Sequence, residues 1–454
     1  MIRAFLVAAL LIVSTGAAAQ DIALARFNND IAALHLYRPS FPFWRHIFVV
    51  PDRFIVYGSA VNGRLLATMP DGGRRGEQGR EDVARLLEAS EGPVIHNQAR
   101  GLFLLPNERR YGAFLEEWGE IYGRFGVPAS IGLAQAIVES GLNGRVRSEA
   151  RAIGFCQWLL GNWNRLKRLS PHVIEGYNQT TQAPYCAAYL SILATKYGSF
   201  IPALSEHHTG GTNVGRTLIN GARLGGVDIR EQYFLGAEFA RDLRVVSPRT
   251  YSDIYGSYGP RSFYYAEMIF GNTANVARIL ETTPQTPVFA MRTPRALPLA
   301  EIMRRGSLTA DEVRRFNPAL TRSVPKGATV YLPIYVSQFG PDVSFWHRPP
   351  SRAYTALLNE FLALDVPIDR WDGEAFDTVL QDYRRRFQAT RTEEGTVMAT
   401  TLAYVLEDRR RSRQGPILAE FRTNARLLRL FQEARGEWDQ FLLSSPPAPA
   451  VIVE

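Results

Sequence analysis

The stretch Val127 to Trp158, VPASIGLAQAIVESGLNGRVRSEARAIGFCQW, organises the chain. Pro128 suits a helix start, because its φ is fixed and its missing N–H is one the first turn does not use. From Ser130 to Val138, Leu133, Ala134, Ile137 and Val138 fall on neighbouring faces, which predicts an apolar helix. The run ends in Glu139 and Ser140 and stops at Gly141. A carboxylate there abuts apolar residues and the negative end of a helix dipole. Both effects raise its pKa, as a general acid at neutral pH requires. A glutamate at a helix end is more often a solvated surface residue. The next segment, SEARAIGFCQW, argues for function: Ala152, Ile153, Gly154 and Phe155 are too small or too apolar for an open loop. Gly154 permits close backbone approach, and Gln157 offers a neutral amide beside the carboxyl.

These two segments resemble the Glu-Ser-Gly-x-Asn and Gly-x-x-Gln motifs of the lysozyme-like catalytic domain of soluble and membrane-bound lytic transglycosylases. The resemblance covers roughly Asn107 to Asn272. It implies Glu139 as the catalytic acid, with Ser140 orienting it and Gly154 and Gln157 helping to position an acetamido sugar. Downstream, SEHHTGGTNVGR is similar to the family's Ala-Tyr-Asn-Ala-Gly-x-Gly-x-Val segment. His207 and His208 replace its Tyr and Asn, a departure at the substrate contacts. Adjacent histidines chelate one ion poorly, so they read as sugar-contacting or structural, with a polar surface loop as the plain alternative. SFYYAEMIF resembles the family's closing helix, whose first Tyr lines the cleft; the register selects Tyr265, with Tyr264 beside it, and either could be core.

Glycoside hydrolysis generally needs two carboxylates, but the motifs offer one, since Glu149 and Glu206 fall where the family has no catalytic role. A single carboxyl fits cleavage between N-acetylmuramic acid and N-acetylglucosamine by the sugar's own C6 hydroxyl, giving a 1,6-anhydro end. The competing expectations are a hydrolytic muramidase or glucosaminidase with a second carboxylate across the cleft, and a catalytically silent wall-binding scaffold.

Composition divides the remaining chain. Met1 to Ala19 has Arg3, an apolar run from Ala4 to Val13 and three alanines before Gln20. That pattern predicts a cleavable signal peptide, too short to span a membrane and without a lipid-accepting Cys, and hence a periplasmic protein. Residues 20–106 read as an α+β region with a hairpin around Asn62-Gly63 and a loop from Asp71 to Arg80. Its Phe41, Phe43, Trp44 and Phe48 could grip sugars, though core packing is the commoner use. The lysozyme-like part spans 107–283, beginning with one helix from Asn107 to Arg124 and including a helix from Gln182 to Tyr197. Residues 220–260 extend it as a lid or longer cleft.

Residues 284–336 read as strand, helix, helix, strand, and EVRRFNPAL and VPKGATVYLP resemble a LysM module, which binds N-acetylglucosamine chains. Its usual opening Gly-Asp-Thr is replaced by Met291-Arg292-Thr293-Pro294. Residues 345–442 read as helical and 443–454 as a Pro-rich disordered tail.

The expected fold class is therefore mainly α. The 454 residues exceed one ordinary core. A net charge of +8 points to an anionic partner such as wall polymers or a membrane surface, with arginine runs at 384–386 and 409–411 as contacts and plain solubility as the alternative. No nucleic-acid module is recognisable. Export permits a disulfide between the only two cysteines, Cys156 and Cys186, against two buried thiols. With seven scattered histidines, no metal spacing and no cofactor motif emerge.

Overall fold

The computed structural model describes residues 17–72, 76–255, 263–367, 370–371 and 373–444. Residues 1–16 of the expected signal peptide, 73–75 of the expected loop, 256–260 of the expected lid or cleft extension and 445–454 of the expected tail lie outside them. The fold is mainly helical, 66% helix and 9% strand, with a few small antiparallel sheets.

Helix α1 (Ala17–Tyr37) leads through a 3-10 turn at Phe41–Phe43 into the short α2 (Trp44–Ile47). Phe41, Phe43, Trp44 and Phe48 are buried and pack the core. The expected hairpin is present: β1 (Phe54–Ser59) pairs antiparallel with β2 (Leu65–Pro70). The stretch expected as a loop to Arg80 is helical from Gly76, where α3 (Gly76–Glu91) begins. Its Ala84, Val83 and Leu87 pack on Ile55, Tyr57 and Val94, so burial on the sheet outweighs the Gly and Arg content of its first turns. Strand β3 (Val94–Gln98) adds to the other side of β1, giving the order β2-β1-β3.

Helix α4 (Gly101–Tyr111), a 3-10 turn at Gly112–Phe114 and α5 (Leu115–Gly123) replace the single helix expected from Asn107 to Arg124. The break has a tertiary cause: Thr286 N–H reaches Ala113 O at 2.8 Å, and Gln285 binds Gly112 O and Glu116 N–H across the turn. Helix α6 (Ala129–Ser140) starts after Pro128 and ends at Gly141 with φ +56, as its sequence predicts. The two-residue strands β4 (Ala152–Ile153) and β5 (Trp158–Leu159) pair and bracket the turn at Gly154.

Six helices complete this part: α7 (Leu160–Leu169), α8 (Gln179–Tyr197), α9 (Phe200–Thr209), α10 (Gly211–Arg223), α11 (Ile229–Val246) and α12 (Pro248–Tyr255). Then α13 (Tyr265–Thr282) packs along α6. Strands β6 (Phe289–Arg292) and β7 (Leu297–Pro298), helices α14 (Leu299–Gly306) and α15 (Ala310–Phe316), and strands β8 (Ser323–Val324) and β9 (Thr329–Leu332) form a small unit. In it β6 pairs antiparallel with β9 over a separate core of Met291, Ile302, Val313, Val330 and Leu332.

Five C-terminal helices follow: α16 (Arg352–Leu362), α17 (Glu374–Ala389), α18 (Glu393–Ser412), α19 (Gln414–Thr423) and α20 (Ala425–Ser444). Their Leu362, Phe387, Met398, Leu402 and Phe431 join the same hydrophobic core as α6 and α8. The N-terminal helix is fastened there too, since the fully buried Asp30 accepts hydrogen bonds from Ser199 Oγ, Phe200 N–H and Arg230. The arginine runs read as anion contacts are partly neutralised within the fold. Arg385 pairs with Asp382, Arg386 with Glu360 and Arg409 with Asp377. Among the described residues no helix is long and apolar enough to cross a membrane.

Candidate functional site

Helix α6 carries Glu139 on its last turn, and α13 packs beside it so that its first residue, Tyr265, donates a hydrogen bond to Glu139 Oε1. Gln135 Nε2, one turn back on α6, donates to the same Tyr265 oxygen at 3.4 Å. Burial pushes the Glu139 carboxyl up to about 7, while the Tyr265 hydrogen bond pulls the other way. The side chain keeps 15% of its exposure, so one edge of the carboxyl remains open.

The two histidines sit on the last turn of α9 rather than on a loop. His208 stacks on the Tyr265 ring, with centroids 4.4 Å apart and planes within 6°. His207 Nδ1 lies 3.4 Å from Trp158 Nε1, and Nε2 lies 2.9 Å from Cys156 O. An indole N–H only donates and a carbonyl only accepts, so Nδ1 is bare and Nε2 carries the proton. Burial lowers the imidazole pKa to about 4, so the ring is neutral. Its Nε2 is 3.6 Å from Glu139 Oε1, a dipolar contact and no ion pair.

Ser140, expected to orient Glu139, and Gly154, expected to help position a sugar, both pack within the turn. Ser140 is fully buried, and its hydroxyl faces Ala136 O at 2.9 Å and Phe155 O at 3.1 Å. It ties the helix end to the following turn, and orients Glu139 only through the backbone. Gly154 has φ +78, and a Cβ there would lie 2.2 Å from Gln182 Nε2. The glycine therefore makes room for the Gln182 amide, which accepts from Phe155 N–H at 2.6 Å and donates to Gly176 O. Cys156 and Cys186 form a disulfide that holds this turn against α8.

Gln157 does face the open space. Its Nε2 donates to Val146 O at 3.1 Å and Gly154 O at 2.9 Å, which leaves Oε1 to accept from a ligand. Its backbone takes φ +48, a left-handed conformation unusual for glutamine. Two cavities of about 500 Å³ and 650 Å³ meet here, sharing Glu139, Ser148, Gln157 and His208. Glu139 thus stands at the waist of a groove. One arm is walled by Trp158, Tyr189, Tyr404 and Asp408, the other by Trp44, Phe48, Asn97, Gln98, Arg100 and Phe103.

Tyr404 of α18 and Asn97 and Gln98 of β3 are site residues that the sequence did not disclose. Their only signal was aromatic or polar content at ordinary element spacing, which core and surface residues share. Other carboxylates of the groove are engaged: Glu206 by Lys196 at 2.6 Å, Asp408 by Arg165 at 2.7 Å, and Asp52 by the Leu102 N–H at 2.8 Å. A cavity of about 850 Å³ between α1, α5 and α16 contains none of the predicted site residues. Among the described residues no three His, Cys, Asp or Glu side chains gather as a metal site would require. Compared with protein-family models and with curated proteins, the chain has no match.

Proposed function

We propose that this chain is a peptidoglycan lytic transglycosylase, a lyase acting on the glycan strands of the bacterial wall in the periplasm. The observation that carries the reading is Glu139, a carboxyl raised to about 7 where two cavities meet. A group titrating near 7 holds its proton on a share of molecules at neutral pH and accepts it back readily, as an acid that must then act as base requires.

In this reading Glu139 protonates the oxygen between N-acetylmuramic acid and N-acetylglucosamine as the C1–O bond breaks. The C6 hydroxyl of the same muramic residue attacks C1, and its proton passes to the Glu139 carboxylate. The product is a 1,6-anhydro sugar, no water is consumed and the enzyme returns to its starting state. Tethering the nucleophile to the reacting ring replaces the water a hydrolase must position. Tyr265 supports the carboxylate while it is charged, neutral His207 fills its flank without donating a competing proton, and Gln157 Oε1 accepts from an acetamido N–H. The flanking carboxylates are held by Lys196, Arg165 and a backbone N–H, which supports the single-carboxyl route over hydrolysis. The lysozyme-like and LysM assignments belong to the same proposal. The antiparallel β6–β9 pair with two helices between is compatible with a LysM-like module gripping the strand.

The test is to incubate the protein and its Glu139→Gln variant with peptidoglycan and weigh the released fragments. Anhydro fragments from the wild type alone support the proposal. Fragments heavier by one water mean a hydrolase, with Asp408 and Asp52 the first carboxylates to replace. No fragments from either protein mean a wall-binding scaffold.

A further inference from the structure

Three arginines from distant parts of the sequence line one cavity away from the groove. Arg110 lies in the last turn of α4, Arg145 in the loop after Glu139, and Arg314 on α15. The cavity measures about 320 Å³ and is completed by Pro318, Leu320 and Thr321, with no carboxylate in its wall. None of the three guanidinium groups forms an ion pair among the described residues, unlike Arg385, Arg386 and Arg409 of the two basic runs.

The convergence is held by packing. Arg315 Nε donates to Arg110 O at 2.9 Å, and Phe316 packs on Phe114 with ring centroids 4.4 Å apart. Both contacts clamp α15 onto the end of α4, so Arg314 and Arg110 are neighbours by construction. Asn143 Oδ1 accepts from Arg145 N–H at 3.0 Å and sets the turn that presents the third arginine. Like charges brought together repel, and a bound anion converts that cost into attraction. Guanidinium groups match planar oxyanions two hydrogen bonds at a time.

We infer that this cavity is an anion-binding site for the free carboxylates of a peptide, namely the stem peptides carried by the glycan strand. The identity of that ligand rests on the function proposed above, while the site itself does not. A concave site favours a discrete carboxylate over a bilayer. Membrane contact calls for exposed apolar anchors, whereas Pro318 and Leu320 are buried here. The cavity joins the β6–β9 unit to the loop that follows Glu139, so a peptide held there sets which stretch of strand enters the groove.

The experiment uses the full-length chain, a soluble stem peptide and the same peptide with its carboxylates amidated. Wild type should bind the free peptide, with affinity falling as salt is raised, and should not bind the amidated one. Each of Arg110→Gln, Arg145→Gln and Arg314→Gln should weaken binding by about tenfold, and the triple variant should abolish it. These side chains are exposed, so melting temperature should stay unchanged and report that folding is intact. Glu139→Gln should bind the peptide like wild type. That result, with no cleavage by wild type, would sink the proposed activity and leave this site standing. Equal peptide binding by wild type and triple variant, or by neither, overturns the inference. Arginine-dependent binding to vesicles of anionic phospholipid, without peptide binding, would overturn it in favour of a membrane contact.

Discussion

Tyr265 donates its hydroxyl proton to Glu139 Oε1 across the contact between α6 and α13, and the pair is stacked over by His208. This bond opposes burial, the larger influence on how the carboxyl titrates. Burial disfavours the anion and the tyrosine favours it, and the balance leaves the group near neutrality. An acid too strong would arrive already ionised, and one too weak would not release its proton to the leaving oxygen.

Replacing Tyr265 by Phe keeps the ring against His208 and removes only the hydroxyl. The Glu139 anion then loses its donor, so the carboxyl pKa rises from about 7. The alkaline limb of the pH–rate profile should move up by roughly one unit, with turnover down about tenfold because the returning base is less supported. An unmoved limb would mean that Tyr265 only packs.

Stability should depend on pH through the same site. The folded Glu139 titrates at about 7 against an ordinary 4.5, so the folded chain binds more protons than the unfolded chain between those values. Stability is therefore lost as pH rises through that window, by about 3 kcal/mol once it is crossed. His207 runs the other way: its pKa is depressed to about 4 from 6.5, and stability is lost as pH falls from 6.5 towards 4. Urea melts of wild type and Glu139→Gln should show the variant more stable at pH 8 by about 2–3 kcal/mol and the two equal near pH 4. A difference independent of pH would mean that the carboxyl titrates normally.

What the sequence disclosed follows from range. The Glu139 helix, its start after Pro128 and its end at Gly141 rest on neighbours within a few turns, as does the hairpin. The raised carboxyl was legible for the same reason, because apolar residues flank it in the chain. The break at Gly112 was not, because Thr286 and Gln285 impose it from more than 170 residues away. Nor were the groove walls, since Tyr404 meets Trp158 only after the C-terminal helices fold back, with ring centroids 5.2 Å apart. The structure assigns Ser140 and Gly154 to the packing of the turn, against Phe155 O and the Gln182 amide, and lines the groove with Gln157.

Gly154→Ala tests that reassignment. A methyl group at φ +78 is strained, and it would also displace the Gln182 amide from Phe155 N–H and Gly176 O. Backbone strain and two disturbed buried hydrogen bonds together should cost about 3 kcal/mol in a urea melt. Gln182→Ala in the same background should cost little more, because the two changes break one contact. If Gly154 instead served a sugar, the alanine variant would keep wild-type stability and lose only activity.

The Cys156–Cys186 bridge should matter for the same turn. It closes a loop of 30 residues, worth about 3.5 kcal/mol through the reduced freedom of the unfolded chain. It also anchors to α8 the residue whose carbonyl orients neutral His207, one position before Gln157. A Cys156→Ala, Cys186→Ala double variant should melt at lower urea by about that amount. Its activity at 25 °C should survive in part, since the Ser140 and Gln182 hydrogen bonds still hold the turn, and should fail at a lower temperature than wild type. Loss of all activity with unchanged melting would place the bridge in the chemistry rather than in the frame, and adding reductant to wild type should reproduce the variant if the bridge acts only as a tether.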